Sequence, residues 1–335
     1  MIYIALLNYI KKLIGLIVQN LRNFLMSNIK EFNSKLKNGD IEIVHKDCLC
    51  SSNNSKKVVN KDRYGLWHPV TICKDCGLLQ SNPQLTDKEY SNFYSSDLYR
   101  KLYDGDNYAE VSINRYISTN QIFEMLDPIM KKNGFKKVIE FGCGGGWNLL
   151  PFQTNNYEVV GYDYSTDLIK LGKEKYNLDL KQGSFDEISK EHNYDVLILN
   201  HVIEHFTNIE ENMNTLKKLL QPNGLIYVGI PNIDVIDRGQ FQNAHTYYFT
   251  QRTFSHYMEK FGFEILEFGP DESIHMHGIL KPTDKLKIYK TSNLDKEYSH
   301  MRKKLLIGVL KINIIKLLDS LNILSTLKKI LGKFS

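Results

Sequence analysis

The residues from Val138 to Trp147 constrain the fold of this chain more than any other stretch. They read Val-Ile-Glu-Phe-Gly-Cys-Gly-Gly-Gly-Trp, an apolar run that ends in a carboxylate and breaks into glycines just before a helical pattern. Parallel strands lead into ligand-binding turns and helix N-termini in this order. A dinucleotide-binding G-x-G-x-x-G fingerprint needs its last glycine at position 147, and Trp147 therefore excludes that fingerprint.

Strand and helix patterns alternate after this turn. Strands are predicted at 157–163, 179–182, 195–200, 225–230 and 263–268, and helices at 166–176, 209–220 and 250–261. A helix is also predicted at 112–132, and residues 273–280 are predicted to turn back as an antiparallel last strand. This alternation predicts an α/β fold with a doubly wound, mostly parallel sheet.

Charge is unevenly distributed along the 335 residues, whose formal net charge is +5. Residues 1–30 hold four Lys/Arg and no acid, residues 300–335 hold eight Lys/Arg and one Asp, and residues 31–299 hold 31 basic and 37 acidic residues. Because the middle of the chain lacks a basic excess, we predict no nucleic-acid partner.

Amphipathic helices are predicted at both ends, over residues 2–25 and 302–334, because apolar residues recur there at helical spacing between basic ones. These helices either pack on the domain or a partner chain, or lie on an anionic membrane surface. Both alternatives are open, and we favour peripheral membrane association. No secretory signal is recognisable, which predicts a cytoplasmic protein, located at the inner face of the membrane if its end helices bind lipid. Met26 is an alternative start.

Four of the five cysteines form two close pairs, Cys48-Leu-Cys50 and Cys73-Lys-Asp-Cys76, with Gly77 after the second. In a reducing compartment, paired cysteines indicate metal before disulfides. We predict that Cys48, Cys50, Cys73 and Cys76 bind one structural zinc ion, as in a small zinc ribbon. His45 is a substitute ligand if the short first pair cannot reach, and unliganded thiols are the alternative.

Four motifs follow one another between residues 110 and 270. They are Glu-x-Gly-x-Gly-x-Gly at 140–146, Tyr-Asp-Val-Leu-Ile-Leu-Asn-His-Val-Ile-Glu-His at 194–205, Leu-Leu-Gln-Pro-Asn-Gly-Leu-Ile at 219–226 and Pro-Asn at 231–232. The series resembles the class I S-adenosylmethionine-dependent methyltransferases. That resemblance implies a Rossmann-like sheet, bound S-adenosylmethionine and methyl-transfer activity.

The resemblance also implies which residues bind the cofactor. Asp163 lies about twenty residues past the first glycine, where a carboxylate can accept both ribose hydroxyls. Ser184 and Phe185 correspond to the adenine-contacting segment, and His201 lies nearest to the methyl group. The complete predicted set is Glu140, Gly142, Gly144, Gly146, Asp163, Ser184, Phe185, Asn200 and His201.

Downstream, His245-Thr-Tyr-Tyr-Phe resembles a segment of the methyltransferases that act on sugars. With the cysteine pairs, residues 41–270 are similar to the zinc-containing sugar methyltransferases of deoxysugar and surface-polysaccharide pathways. A sugar hydroxyl is a weak acid that needs a base near the sulfonium. We predict His245 as the base, with His205 and Glu204 orienting or holding the acceptor.

Other interpretations remain open. The stretch at 200–205 also resembles quinone-pathway O-methyltransferases, although those relatives lack the cysteine pairs. A non-catalytic zinc-bearing scaffold is a third possibility, which the intact glycines and Asp163 disfavour. The aromatic residues of 83–108 are either a packed connector or a lid that faces the acceptor: Tyr90, Phe93, Tyr94, Tyr99, Tyr103 and Tyr108.

Four regions result from these patterns. Residues 1–40 are a basic amphipathic segment, 41–108 the zinc-binding module and aromatic connector, 109–282 the methyltransferase domain, and 283–335 a basic helical tail. The oligomeric state is not predicted.

Overall fold

The computed structural model describes residues 25–99, 101–102, 120–236, 240–270, 274–284 and 294–320. The predicted helix at 2–25 lies outside the described residues except for its last residue, and so do Tyr103, Tyr108 and residues 321–335 of the predicted tail. No helix in the described ranges is both long and apolar enough to cross a membrane.

The elements follow in this order. Helix α1 covers residues 25–38. It is followed by β1 Ile43–Val44, β2 Ser55–Lys61, β3 Trp67–Cys73, β4 Leu79–Ser81, β5 Gln84–Leu85, α2 Asp87–Tyr94, α3 Asp97–Tyr99, α4 Gln121–Asn133, β6 Lys137–Phe141, α5 Leu150–Thr154, β7 Glu158–Asp163, α6 Thr166–Tyr176, β8 Leu180–Gln182, α7 Phe185–Ile188, β9 Tyr194–Asn200, α8 Ile209–Leu216, β10 Leu220–Pro231, β11 Tyr247–Tyr248, α9 Gln251–Lys260, β12 Phe263–Pro270, β13 His275–Pro282 and α10 Glu297–Ser320. Short 3₁₀ helices cover Ile203–His205 and Lys217–Leu219.

Seven strands form the central sheet in the order β12-β13-β10-β9-β6-β7-β8. Neighbours from β10 to β8 are parallel, whereas β13 runs antiparallel to both β10 and β12. The first six residues of β9, Tyr-Asp-Val-Leu-Ile-Leu, are all buried, as expected of a parallel strand covered on both faces. The predicted mostly parallel α/β sheet and its antiparallel last strand are confirmed.

The predicted helices and strands end within a few residues of the observed ones. Helix α6 has the predicted bounds, because the Ser165 hydroxyl accepts the Leu168 N–H and caps its first turn. Helix α4 begins at Gln121 instead of residue 112, after Asn120 in a left-handed conformation, and residues 112–119 lie outside the described residues. Among the strands the largest difference is in β10, which begins at Leu220 instead of residue 225 and shifts register before Leu225. Asn223 adopts a left-handed φ of 69° within that irregular stretch, so the strand is locally distorted there.

A second sheet joins the cysteine-rich segment to the segment that carries His245. Its strand order is β11-β4-β3-β2, and β11 pairs antiparallel with β4 through Tyr247 opposite Gln80 and Tyr248 opposite Leu79. Helix α10 packs nearby, since the Thr250 hydroxyl donates to Glu297 Oε1 at 2.6 Å. The cysteine-rich segment therefore supports the loop that leads into β11.

Candidate active site

The glycine turn folds back onto the end of β7. The N–H groups of Gly142 and Cys143 donate to the Tyr162 carbonyl at 2.8 and 3.0 Å. Gly142 has a φ of 73°, and a Cβ there would lie 2.8 Å from the Val202 side chain. Gly142 is therefore required both by its backbone conformation and by the closeness of the loop that follows β9.

Asp163 holds the turn in place from the end of β7. Its Oδ2 accepts the Gly144 N–H and its Oδ1 accepts the Ser165 N–H, both at 2.8 Å. Burial raises the pKa of Asp163, and the backbone N–H groups of Ser165 and Gly144 oppose that rise. The predicted ribose partner thus also fixes Gly144, while Gly146, with a φ of 78°, packs against Leu178.

Glu140 lies fully buried at the end of β6, beside the turn. Asn148 Nδ2 donates to its Oε1 at 2.7 Å, and its Oε2 has no partner among the described residues. Burial raises the pKa of Glu140 to about 8. Asn148 was not singled out from the sequence; its only signal is its place eight residues after Glu140, in the turn residues just before α5.

Ser184 and Phe185 begin α7 on the other side of the turn. The Ser184 hydroxyl and backbone N–H form a capping box with Glu187, so that the Ser184 side chain serves the helix N-terminus. Phe185 packs edge-on against Phe141, with ring centroids 6.1 Å apart. The predicted adenine-contacting role of Ser184 and Phe185 stays a prediction.

The loop after β9 begins with Asn200 and His201. A Cβ at position 229 would lie 2.3 Å from Asn200 Oδ1, so that Gly229 makes room for the Asn200 side chain. His201 adopts a left-handed φ of 58° and donates its N–H to the Gly229 carbonyl at 2.8 Å. A non-glycine residue held in this conformation is strained, which is common at functional sites.

Three side chains of this loop, His201, Glu204 and His205, meet His245 in the candidate acceptor site. His201 Nδ1 lies 3.2 Å from Glu204 Oε1, and the side chain of His201 is 35% exposed while that of Glu204 is 2% exposed. The rings of His205 and His245 meet edge to face with centroids 4.9 Å apart. The structure therefore brings together the predicted base, His245, the predicted acceptor-orienting pair His205 and Glu204, and His201.

Glu204 is ionised in this cluster. Burial raises the pKa of Glu204, but the hydrogen bond from His201 and the neighbouring histidines lower it by more, so that the net pKa is about 2. Burial lowers the pKa of His205, and it lowers the pKa of His245 well below the usual range. His245 is thus a neutral and weakly basic imidazole.

Hydrogen bonds to backbone carbonyls hold the segment of His245 against the loop of Glu204 and His205. The Thr246 N–H and hydroxyl both donate to the Glu204 carbonyl, at 2.7 and 2.9 Å, and the hydroxyl is also within 2.6 Å of the Phe206 carbonyl. Tyr94 from α2 reaches the same place, with its hydroxyl 2.9 Å from His205 Nδ1. Thr246 carries no signal in the sequence, because its role depends on two loops far apart in the chain.

Tyr94 supports the lid interpretation of the aromatic connector. Its ring stacks on that of Tyr164, with centroids 6.2 Å apart and planes 13° apart, and Tyr164 is 45% exposed. Tyr90 and Phe93 are buried instead, as the packed-connector interpretation expects. On the other side of the cluster, the ring of His275 from β13 meets the ring of His201 edge to face, with centroids 4.7 Å apart.

The four paired cysteines form one cluster. Their sulfur atoms all lie within 4.8 Å of one another, with 3.4 Å between Cys48 and Cys76 and 3.6 Å between Cys50 and Cys73. Tetrahedral zinc with Zn–S bonds of about 2.3 Å places its sulfurs about 3.8 Å apart, so the four thiols fit such an ion. His45 is not part of the cluster.

Comparisons with known proteins found similarity to methyltransferases. Residues 115–267 match a family described as a methyltransferase domain. The chain is 28% identical over 189 residues to malonyl-[acyl-carrier protein] O-methyltransferase of Priestia megaterium, covering 54% of this chain and 60% of that protein. It is 28% identical over 101 residues to ubiquinone biosynthesis O-methyltransferase of Rickettsia prowazekii, covering 29% and 40%.

Among solved structures, 1,6-didemethyltoxoflavin-N1-methyltransferase of Burkholderia thailandensis is similar, with a TM-score of 0.47 and 15% identity over 62% of this chain and 96% of that one. The chain spans less than two thirds of the length of both curated relatives above.

Proposed function

We propose that this protein, whose residues 115–267 form an S-adenosylmethionine-dependent methyltransferase domain, transfers a methyl group to a hydroxyl of a sugar, nucleotide-sugar or growing surface glycan. One observation carries the proposal. A Cβ on Gly142 would touch Val202, which means that the cofactor turn lies directly against the loop bearing His201 and Glu204. A methyl donor bound at the turn would therefore lie beside the histidine cluster.

The residues present fit the cofactor. Gly142, Gly144 and Gly146 all have left-handed φ angles, and Cys143 is the one residue with a side chain from 142 to 146, so the backbone of the turn is open to a ligand. The unpaired Glu140 Oε2 gives an acceptor for a cationic group. The Asp163 carboxylate can also accept hydrogen bonds from the ribose hydroxyl groups of the cofactor. Bound S-adenosylmethionine supplies the methyl group on a sulfonium leaving group, so the chain's own residues must align the acceptor and take its proton.

We favour His201 as the group that takes the proton. Glu204 Oε1 accepts from Nδ1 of His201, which fixes the proton on that nitrogen and leaves the Nε2 lone pair to accept another. His201 is also partly exposed, whereas His245 is 4% exposed. The sequence-based prediction of His245 as the base stays a prediction, and the His201–Glu204 pair is the geometry that supports base catalysis better.

A phenol or quinone precursor is the second candidate acceptor. The stacked and partly exposed Tyr164, together with Tyr94, offers an aromatic face beside the histidines. The similarity to a ubiquinone biosynthesis O-methyltransferase supports the same candidate. Sugars also pack on such rings, so the observation that favours the sugar is the cysteine-supported loop that carries His245.

Incubation with methyl-labelled S-adenosylmethionine separates the two acceptor classes. We expect label to enter nucleotide-sugars or glycan fragments, read as a mass increase of the product. Label that enters only polyprenyl phenols would replace the sugar proposal with the second candidate. Absence of transfer to either class would contradict both.

We also propose that Cys48, Cys50, Cys73 and Cys76 hold a structural zinc ion. Cys73 and Cys76 flank the turn closed by Gly77, whose N–H donates to the Cys73 carbonyl at 3.0 Å. The shorter first pair closes through the Ser51 N–H, which donates to the Cys48 carbonyl at 2.7 Å. The ion would anchor β3 and β4, and through β11 the segment that carries His245.

Replacing Cys76 with serine should remove this zinc and lower the melting temperature by roughly 5–10 °C, because binding energy of a structural ion is folding energy. Metal analysis and thermal unfolding on freshly purified protein measure both. Cys143→Ser is the matched control, since Cys143 lies in the cofactor turn and outside the cluster. Equal metal content in Cys76→Ser and Cys143→Ser would contradict the zinc proposal.

Cofactor affinity should rise with pH as a result of Glu140. Its pKa of about 8 means that the carboxyl is largely protonated in the free protein at neutral pH. A bound cation favours the ionised form, so binding releases a proton below pH 8 and affinity rises by up to about tenfold per pH unit until the free carboxyl is ionised.

Calorimetric titrations with S-adenosylmethionine between pH 6 and 9 measure this dependence, and buffers of different ionisation enthalpy count the protons. Glu140→Gln should show a flat profile over the same range. An equal slope in Glu140→Gln and the natural protein would assign the dependence to another group.

A further inference from the structure

Glu204, His205 and His245 form a second cluster of metal-binding side chains, separate from the cysteines. One ligand atom of each lies within 4.8 Å of the other two. Glu204 is 1% exposed and His245 is 4% exposed. Three donors of this type at such separations surround a volume that one ion can occupy.

Two atoms of this cluster have no partner among the described residues. They are Oε2 of Glu204 and Nδ1 of His245, and both are buried. A buried polar atom without a hydrogen bond is costly, and a buried carboxylate oxygen is more so. A cation bound between Glu204 and His245 would satisfy both atoms at once.

The third donor is already oriented for ligation. Nδ1 of His205 lies 3.0 Å from the Ala244 carbonyl oxygen, which can only accept a hydrogen bond. Nδ1 therefore carries the proton and the Nε2 lone pair is left to bind a metal. Metal-binding histidines in proteins are oriented by their other ring nitrogen in this same way.

We propose that Glu204, His205 and His245 bind a divalent transition-metal ion in the acceptor site. Two imidazoles and one carboxylate are a donor set of catalytic metal sites, which leave further coordination positions open. An acceptor hydroxyl or diol oxygen is the chemical group suited to such a position. That last step rests on the proposed methyltransferase function, whereas the metal site does not.

Glu204 links this site to the proposed base. Its Oε1 accepts from His201 Nδ1 and its Oε2 is the free metal donor, so one carboxylate serves both. The acceptor oxygen held by the ion would then lie next to the group that takes its proton. The cysteine cluster has no carboxylate shared with a base, and its soft thiolates favour a structural zinc ion.

Manganese distinguishes the two sites, because Mn²⁺ prefers oxygen and nitrogen donors to thiolates. Protein adjusted to one zinc ion per chain, which the thiolates retain, is titrated with Mn²⁺, and the resonance of free Mn²⁺ reports the bound fraction. We expect one bound Mn²⁺ per chain, at least tenfold weaker binding in Glu204→Gln and in His245→Gln, and no change in His192→Gln, whose exposed histidine lies outside the cluster.

Pulsed electron spin resonance on the Mn²⁺-loaded natural protein needs no variant, and it should detect two imidazole nitrogens coupled to the ion. Absence of Mn²⁺ binding, or bound Mn²⁺ without histidine nitrogen, would overturn the proposal. Cofactor titration of the same samples separates the two claims. Metal binding without cofactor binding contradicts the proposed function alone, and cofactor binding without metal binding contradicts the metal site alone.

Discussion

Replacing Asp163 with alanine should weaken S-adenosylmethionine binding by about a hundredfold or more. The carboxylate accepts the N–H groups of Gly144 and Ser165, and hydrogen bonds to a charged group contribute about 1.5–3 kcal/mol each. Their loss frees the glycine turn and also removes the predicted ribose partner. A loss of about 3 kcal/mol corresponds to the stated factor, and calorimetric titration measures it.

Two further variants make this result specific. Asp163→Asn keeps one acceptor oxygen and should fall between the natural protein and Asp163→Ala. Asp179→Ala removes an exposed carboxylate just before β8 and should leave the affinity unchanged. Equal affinities in Asp163→Ala and Asp179→Ala would show that the turn does not bind the cofactor.

Replacing His201 with asparagine should lower kcat by about a hundredfold or more while leaving cofactor affinity within a few-fold, because general-base catalysis contributes about 10²–10⁴. Asparagine tolerates the left-handed φ of 58° that His201 adopts, so the backbone of the loop is kept. Glu204→Gln should lower kcat as well, since Glu204 orients the His201 ring.

His192→Asn is the matched control for this series, and its turnover should equal that of the natural protein. The series also tests the base role predicted for His245. Full turnover in His201→Asn would contradict the His201–Glu204 pair. An inactive His245→Ala with unchanged Mn²⁺ binding would then assign the base role to His245.

The alternation of strands and helices was predictable because each pattern is local. Helix α6 carries its own N-cap at Ser165, and β9 is centred on four consecutive apolar residues, 196–199, so both were located to within a residue. Leu220 was not recognised as the start of β10. The residues from Leu220 to Asn223 pair with β9 only through an irregular register, which local sequence does not record.

The candidate site was predictable in its members and not in its arrangement. His201, Glu204 and His205 all follow β9 within five residues, and strand ends in a parallel sheet lie at the edge where ligands bind, which was enough to place the three beside the cofactor turn. The burial of His245 depends on β11 pairing with β4, a contact across more than 160 residues. Its weak basicity, and the unpaired Glu204 Oε2, follow from that packing and from no motif.

The cysteine segment was predicted as a module in front of the catalytic domain. The structure adds that its β4 shares a sheet with β11, so that the loop with His245 rests on the cysteine cluster. The pairing of Tyr247 with Gln80 depends on backbone hydrogen bonds, which place no demand on side-chain type. A sequence pattern therefore cannot reveal it.

Calorimetric titration of the full chain with S-adenosylmethionine tests the central claim most directly. We expect saturable binding at one site per chain, with affinity lost in Asp163→Ala and kept in His201→Asn. A heat of dilution alone, from protein that is folded and carries its metal, would contradict the methyltransferase function and favour the non-catalytic scaffold.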